Sequence, residues 1–213
     1  MKKNFNLNID NIHKSFTQKI PIFQDISFNI KNNNVVGITG HNGSGKTTLL
    51  RVLSGVLLPS KGKVELTVEN NLVKKDDYYK YIGFVGPYLN IYEEFSPMEN
   101  IKIFAEIRGK EFNSDKAIEL LKMFNIYKRR NDHVKTFSSG MKQRVKYIIN
   151  FLEDFEILLL DEPFTNLDSE GIGTLIDLIN MHTLQGGGII IASNDDREKA
   201  LCKDFVNINI TRN

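Results

Sequence analysis

A short glycine-rich segment between an apolar strand and a helix constrains this sequence more than any other feature. The run Val35–Thr39 is β-branched and apolar on both faces, as expected of a buried parallel strand. It leads into residues 40–47 (GHNGSGKT), which fit the pattern G-x-x-x-x-G-K-[ST] in full. Three leucines between residues 49 and 53 follow at helical spacing, and Gly55 stands where a helix would stop. A strand, a phosphate-binding loop and a helix are therefore predicted in succession.

The residue types of this loop suit the binding of a triphosphate. Glycines let backbone N–H groups surround phosphate oxygens without side-chain clashes, and the next helix adds its positive dipole end. We expect Lys46 to reach the β- and γ-phosphates and the Thr47 hydroxyl to bind Mg²⁺. The alternative is a glycine-rich turn that contains Lys-Thr by chance, but the flanking strand and helix favour the binding loop. The predicted ATP-binding residues are Gly40, His41, Asn42, Gly43, Ser44, Gly45, Lys46, Thr47 and Thr48.

A second strand supplies the acidic residues that such a site needs. Residues 157–160 (ILLL) form an aliphatic run that ends in Asp161 and Glu162. In folds with a phosphate loop, a carboxylate at a neighbouring strand tip completes the Mg²⁺ shell. We expect Asp161 to hold the metal through water and Glu162 to orient or deprotonate the attacking water. ATP and Mg²⁺ are thus the predicted cofactors, with Lys46 and Glu162 as catalytic residues.

The order of the segments predicts one α/β core with an inserted helical lobe. Short strand-like runs occupy the first part of the chain, amphipathic helices follow up to about residue 151, and strands then return. We expect a single domain over residues 1–213. Its nucleotide-binding core comprises residues 1–86 and 152–213, and its helical subdomain comprises residues 87–151.

Composition and charge exclude several classes of protein. The 28 basic and 26 acidic residues leave a net charge of +2, which gives no electrostatic case for a nucleic acid partner. The longest aliphatic run has four residues, whereas a membrane-spanning helix needs about 20. Two lysines near the N-terminus have no apolar stretch behind them, so no signal peptide is expected. A single cysteine, Cys202, excludes an internal disulfide. The cytosol is the predicted location, and any role at a membrane is expected to be exerted from its surface.

Further motifs give the chain a specific resemblance. Residues 137–144 (FSSGMKQR) precede a helical pattern, and Gly140 stands 21 residues before Asp161 (161 − 140). Residues 164–168 (FTNLD) follow the Asp-Glu-Pro sequence. Together with the phosphate loop, these segments resemble the signature and D-loop motifs of the ATP-binding cassette (ABC) family over essentially the whole chain. Phe16 stands where that family places an aromatic residue that stacks on adenine; the alternative is a core aromatic.

The resemblance implies a fold, a mechanism and partners. The implied fold is α/β, a P-loop NTPase core with an N-terminal antiparallel β subdomain and an inserted α-helical subdomain. Two ABC subunits, identical or related, would sandwich two ATP molecules and drive a separate transmembrane subunit from the inner face of the cell membrane. The implied signature residues, which reach the ATP of the other subunit, are Ser138, Ser139, Gly140 and Met141, and Asp168 belongs to the D-loop. Ser138 or Ser139 can also act as an ordinary helix N-cap, and the two roles are compatible.

Two positions depart from the family pattern. The family has Gln near Mg²⁺ where this chain has Pro87, whose side chain offers no donor or acceptor. It has a switch His where this chain has Asn194, which keeps an N–H₂ donor but carries no titratable proton. Losing a hydrogen bond to the transition state can lower a rate by about 10²–10³. We therefore expect Asn194 to act as a catalytic residue of an active but slow ATPase subunit of a transporter. The alternatives are an ATP-gated switch that barely hydrolyses ATP and a soluble ABC ATPase, such as one for iron–sulphur assembly.

An aromatic loop at the edge of the helical lobe is the expected contact with the membrane partner. Residues 88–95 contain Tyr88, Tyr92 and Phe95, and Phe104 follows in the next helical pattern. The alternative is that these aromatic side chains pack the helical lobe itself.

Overall fold

The computed structural model describes residues 2–16, 21–86 and 89–208. Its strands and helices follow the order that the sequence predicts. They are β1 (Phe5–Ser15), β2 (Pro21–Lys31), β3 (Val35–Thr39), α1 (Lys46–Leu53), β4 (Lys61–Val68), β5 (Asn71–Leu72), β6 (Ile82–Val85), α2 (Pro97–Ile107), α3 (Ser114–Met123), α4 (Ser139–Leu152), β7 (Ile157–Asp161), α5 (Ser169–Leu184), β8 (Gly188–Ala192), α6 (Asp196–Lys199) and β9 (Asp204–Asn207), with short 3₁₀ turns at Lys75–Lys80, Tyr127–Arg129 and Val134–Thr136.

The strands form two sheets. An antiparallel sheet has the order β2-β1-β4-β5, and a parallel sheet has the order β6-β7-β8-β3-β9. In the parallel sheet Ala192 of β8 pairs with Ile38 of β3 on one side and with Asp161 of β7 on the other. Since all five strands run in the same direction, the ends of β3, β7 and β8 meet at one edge of the sheet. This edge is where ligands bind in open α/β sheets.

The central strands are buried on both faces and divide their side chains between two cores. Val35 and Ile189 point to the core that the parallel sheet shares with α2, α3, α4 and α5. Their neighbours Val36 and Ile190 point to the core shared with α1 and the antiparallel sheet. The alternation follows from the two-residue period of a strand, and apolar residues on both faces make the strands uniformly hydrophobic.

The helical segments lie within a few residues of their predicted positions. The predicted helix over residues 98–108 is α2, which begins at Pro97 and carries a capping box between Ser96 and Glu99. α4 packs against α2 and α3. The predicted fold class, an α/β core with an antiparallel β sheet and a helical lobe, is confirmed. The domain boundaries at residues 86/87 and 151/152 stay predictions. None of the helices in the described ranges is both long and apolar enough to cross a bilayer.

The hydroxyl of Tyr78 forms hydrogen bonds with backbone groups of β4 that the short strand β5 does not pair with. It donates to the Val64 carbonyl at 3.1 Å and accepts the Leu66 N–H at 2.9 Å, and burial raises its pKa. Tyr78→Phe leaves a buried N–H unpaired, so we expect the free energy of unfolding in urea to fall by about 1–3 kcal/mol. The neighbouring Tyr79→Phe, whose ring is half exposed, is the control and should change it by less than about 0.5 kcal/mol. Equal losses in the two variants would contradict this account.

His182 should make the fold sensitive to acid. Its ring is buried against the backbone of Gly187, and its Nε2 has no hydrogen-bond partner among the described residues. Burial, with a smaller effect of Lys2, lowers the pKa of His182 to about 4. Because this value lies below the ordinary pKa of about 6.5, the unfolded chain takes up the proton first, and stability present above pH 6.5 is lost towards pH 4. Urea unfolding should show a shallower decline between pH 7 and 4.5 for His182→Gln than for the wild type. His133→Gln, at an exposed position, should keep the wild-type slope, and a wild-type slope in His182→Gln would refute the prediction.

Candidate functional site

The phosphate loop joins the end of β3 to the start of α1 in a conformation that needs glycine. Gly45, directly before α1, has a φ of 101°, and a Cβ there would lie 2.3 Å from Cγ2 of Ile22. The side chain of Lys46 is buried and turns back over the loop, where its Nζ donates to the Gly40 carbonyl at 2.8 Å and to the His41 carbonyl at 3.4 Å. The loop is thus closed around its own lysine.

A cavity of about 320 Å³ opens beside this loop. The hydroxyl of Ser44 in the loop is fully buried and has no hydrogen-bond partner among the described residues. It is therefore available to bond a ligand. Glu162 lines the same cavity as the predicted phosphate-binding residues, although it lies more than 100 residues after them in the sequence. Its lining residues are Ile22, Asn42, Gly43, Gly45, Lys46, Thr47, Thr48 and Glu162.

Thr47 and Asp161 meet at the floor of the site. The Thr47 hydroxyl donates to Asp161 Oδ2 at 2.6 Å, and burial raises the pKa of Asp161 against the opposing effect of that hydrogen bond. A hydroxyl oxygen and a carboxylate oxygen are the hard ligands that Mg²⁺ prefers. Within the described ranges no group of three or more His, Cys, Asp or Glu side chains could hold a metal unaided. The donor set therefore fits a cation that takes its remaining ligands from phosphate and water.

Glu162 is held in an unusual backbone conformation directly after β7. Its φ is 48°, in the left-handed region that non-glycine residues seldom adopt. Its N–H donates to the Ala192 carbonyl at 2.9 Å, and its carbonyl accepts the Thr165 N–H at 3.1 Å. Strained residues of this kind cluster at functional sites, and here the strain leaves the carboxylate of Glu162 exposed at the cavity.

Asn194 reaches the phosphate loop from the end of β8. Its Nδ2 donates to Asn42 Oδ1 at 3.1 Å, and its Oδ1 accepts the Gly40 N–H at 3.4 Å. Asn194 and Glu162 also share a second cavity of about 290 Å³. The tips of β3, β7 and β8 thus bring together the loop, both carboxylates and the residue at the switch position.

The signature segment forms the N-terminus of α4, away from the phosphate-loop cavity. Ser138 Oγ accepts the Met141 N–H at 3.3 Å, which confirms its role as an N-cap. A Cβ on Gly140 would lie 2.6 Å from the Asn166 carbonyl, so glycine permits close approach of the D-loop. Ser139 lines another cavity, of about 200 Å³, together with Asn166. The signature and D-loop residues are therefore in contact with each other and form a separate surface.

Asp168 has a structural role at the start of α5. Its Oδ1 accepts the Gly171 N–H at 2.8 Å, and its two carboxylate oxygens lie 2.6 and 2.8 Å from the guanidinium of Arg144 in α4. The Gly171 hydrogen bond and the Arg144 contact lower the pKa of Asp168. The aspartate thus links the signature helix to the helix that follows the D-loop.

Two aromatic predictions have different outcomes. The ring of Phe16 is 66% exposed, so the alternative of a core aromatic is wrong, and Lys14 Nζ lies 5.2 Å from its centroid. Tyr92 and Phe95 are partly exposed and contact each other edge to face, while Tyr92 also packs against Phe104. Tyr92 therefore packs in part against the helical lobe, and contact of this loop with a membrane partner stays a prediction.

The predictions for Pro87 and Tyr88 lie outside the described residues.

The sequence reasoning missed two residues that hold the segment after Glu162. Tyr147 in α4 contacts the Pro163 carbonyl, and Glu198 in α6 contacts the Phe164 N–H. A glutamate in a four-residue helix between charged neighbours has the pattern of a surface residue, and the tyrosine has that of a core residue. Nothing in the linear pattern indicated that they meet at one peptide unit.

The sequence is similar to a known protein family and to several of its members. The sequence model of the ABC transporter family matches residues 23–165. The chain is 33% identical over 180 residues to the cytochrome c biogenesis ATP-binding export protein CcmA of Haemophilus ducreyi, covering 83% of this chain and 84% of that protein. It is 30% identical over 190 residues to the ABC-type transporter ATP-binding protein EcsA of Bacillus subtilis, covering 88% of this chain and 76% of that protein.

Solved structures share the fold. An ATP-binding subunit of an ABC transporter superposes with a TM-score of 0.83 at 23% identity, over 95% of this chain and 85% of the other. The ATP-binding cassette MJ0796, a dimer in a post-hydrolysis state with ADP and Pi, superposes with a TM-score of 0.82 at 23% identity, over 95% and 94% of the two chains. The family model matches more than half of the sequence, and both relatives match most of their own length. This chain therefore belongs to the ABC transporter family, as an ATP-binding subunit.

Proposed function

We propose that this subunit hydrolyses Mg-ATP at a site that a second ABC subunit completes, and that it drives a separate transmembrane subunit. The observation that carries the proposal is the convergence of Lys46, Thr47, Asp161 and Glu162 on one cavity edge, while the signature residues lie on a different surface. One subunit then offers half of each of two sites. The dimeric cassette among the structural neighbours supports this arrangement.

The residues divide the work at the phosphates. Backbone N–H groups of residues 40–48 bind the phosphate oxygens, and Lys46 exchanges its bonds to the Gly40 and His41 carbonyls for phosphate oxygens. Thr47, and Asp161 through water, would hold Mg²⁺, which would neutralise charge on the phosphates. Glu162 accepts the proton of the attacking water, since its carboxylate faces both cavities.

Asn194 is proposed to donate a hydrogen bond to the γ-phosphate. Its amide bonds Asn42 and Gly40, so its N–H₂ group lies at the loop that is proposed to hold the phosphates. An amide donates a hydrogen bond without titrating near neutral pH. The hydrolysis rate should then lack the pH dependence that an imidazole introduces there.

The signature surface is the part that would meet the ATP of the second subunit. Ser138 and Ser139 are exposed, and the N-terminus of α4 offers N–H groups and a positive dipole end to an anion. Ser139, Gly140 and Met141 follow Ser138 into the first turn of the helix. We propose that these four residues bind the γ-phosphate held by the other subunit.

A membrane partner is proposed from the aromatic loop and from the relatives. Tyr92 and Phe95 expose 47% and 42% of their surfaces, and Asn100 fixes the loop by bonding the Tyr92 N–H at 2.7 Å and its carbonyl at 2.9 Å. The relatives named as an export protein and a transporter protein support a position at the inner face of the cell membrane. Phe16 is proposed to stack on adenine, because its ring is exposed at the end of β1.

Replacing Glu162 should separate binding from hydrolysis. Glu162→Gln keeps the size of the side chain but removes the base, so we expect kcat to fall by about 10²–10⁴ while ATP still binds. With Mg-ATP, the variant should elute as a dimer from a sizing column. Lys46→Ala is the control that should lose ATP binding. A monomeric Glu162→Gln with ATP bound would contradict the shared-site model, and unchanged phosphate release would contradict the role of Glu162.

Variants of Asn194 test whether its amide is a working donor. Asn194→Ala removes the donor, so we expect kcat to fall by about 10²–10³. Asn194→His restores a donor with an ordinary pKa of about 6.5, so its rate should acquire a pH dependence between pH 5.5 and 7.5 that the wild type lacks. Steady-state phosphate release across that range measures both effects. If Asn194→Ala retains the wild-type rate, the chain works without this donor and the assignment is wrong.

A further inference from the structure

One peptide unit, between Pro163 and Phe164, is held at both of its polar groups by buried side chains. The Pro163 carbonyl accepts the hydroxyl of Tyr147 at 2.6 Å, and the Phe164 N–H donates to Glu198 Oε1 at 2.5 Å. Tyr147 lies in α4, the signature helix, and Glu198 lies in α6, which begins two residues after Asn194. The peptide unit, which we call the clamped peptide, follows Glu162 by one residue.

Both side chains are buried and are themselves held in place. Tyr147 is fully buried, and its hydroxyl oxygen accepts Nε2 of Gln143 at 3.1 Å. Glu198 is 2% exposed, and its Oε1 accepts the Phe164 N–H. Burial raises the pKa of both groups, and Glu198 Oε2 has no partner among the described residues. Burying such groups is unfavourable unless their hydrogen bonds are kept, so the two contacts fix the clamped peptide firmly.

The clamp removes the remaining freedom of the backbone after Glu162. The Glu162 N–H is bound to the Ala192 carbonyl, the Glu162 carbonyl accepts the Thr165 N–H, and the ring of Pro163 fixes its own φ. The rotation still open is ψ of Pro163, which turns the clamped peptide. Hydrogen bonds at both ends of that peptide stop the rotation.

We propose that Tyr147 and Glu198 are positioning residues that fix, through the clamped peptide, the direction of the Glu162 carboxylate. The signature helix and the helix after the switch position thereby act on the catalytic base of their own subunit. The inference rests on the proposed role of Glu162 as that base. Neither side chain lines the phosphate-loop cavity, and Glu198 borders only the second cavity, beside Glu162 and Asn194. Both residues should therefore affect the chemical step rather than ATP binding.

The test compares variants that remove one hydrogen bond with one that keeps it. Tyr147→Phe and Glu198→Met keep the volume of the side chain but lose the bond, whereas Glu198→Gln keeps a carbonyl oxygen for the Phe164 N–H. Since a displacement of about 1 Å can lower a rate about 100-fold, we expect kcat to fall roughly 10- to 100-fold in the first two variants. Their KM for ATP should stay within about twofold of the wild type. Glu198→Gln should retain most of the wild-type kcat.

A double variant separates one shared device from two independent effects. Tyr147 and Glu198 act on the same peptide, so Tyr147→Phe combined with Glu198→Met should lower kcat by clearly less than the product of the single losses. Fully multiplicative losses would show that the residues act independently and would overturn the clamp.

The controls distinguish position from stability and this inference from the proposed function. Tyr78→Phe removes an equally buried phenol that bonds the backbone of β4, so it should lower stability and leave kcat unchanged. If Tyr147→Phe and Glu198→Met behave like Tyr78→Phe, with unfolding shifted but kcat unchanged, the inference is wrong. If Glu198→Met does not fold, Tyr147→Phe still tests the inference, because its kcat is expected to fall. Loss of kcat in Glu162→Gln beside unchanged kcat in Tyr147→Phe and Glu198→Met would refute the clamp alone, whereas wild-type kcat in Glu162→Gln would refute the proposed base.

Discussion

The parallel register of β7, β8 and β3 is the constraint on which the site depends. Asp161, Ala192 and Ile38 lie in one row across the sheet, so the chain leaves all three strands at the same edge. The loop after β3 carries the phosphate-binding residues, the residue after β7 is the strained Glu162, and Asn194 follows β8 by two residues. Shifting one strand by a single residue would move its side chains to the opposite face and break both cores. Packing in the two apolar cores therefore fixes the positions of the phosphate-binding loop, Glu162 and Asn194.

Polar contacts at this edge connect segments that the sheet only brings near. Thr47 bonds Asp161 across the tips of α1 and β7, and Asn194 bonds Asn42 across the tips of β8 and the phosphate loop. On the other surface, Arg144 ties α4 to Asp168 at the start of α5. The clamped peptide lies between these surfaces, with one bond to the signature helix and one to the helix after Asn194. Because these hydrogen bonds act only over short distances, each holds its two segments in place only while the helices and strands around it stay packed.

Most of the fold and much of the site follow from local sequence patterns. The strand, loop and helix over residues 35–53 combine a buried strand, positive-φ glycines and a helix start, each of which has a local signal. The contact between Thr47 and Asp161 follows from the rule that parallel strands end together. The sequence does not decide whether Phe16 is exposed, because an aromatic residue at a strand end has no local mark of burial.

Other parts of the site have no local signal. Tyr147 and Glu198 reach one peptide from helices about 50 residues apart, and their burial depends on how those helices pack. Asp168 matches the D-loop motif, yet its observed bonds are those of a helix cap and an ion pair with Arg144. Tertiary contacts decide such roles, and composition and spacing do not encode them.

The alternation of strand residues between two cores has a consequence for how this sequence can change during evolution. Val35 and Val36 are adjacent in the chain but belong to different hydrophobic clusters, whereas Val35 shares its cluster with Ile189 and Val36 shares its cluster with Ile190. A change of volume at one position is compensated by neighbours in the same core. Substitutions should therefore co-vary between facing strands with a spacing of two, and adjacent residues of one strand should drift independently. Alternate residues of each strand in this sheet would then accumulate substitutions independently, because they belong to different cores.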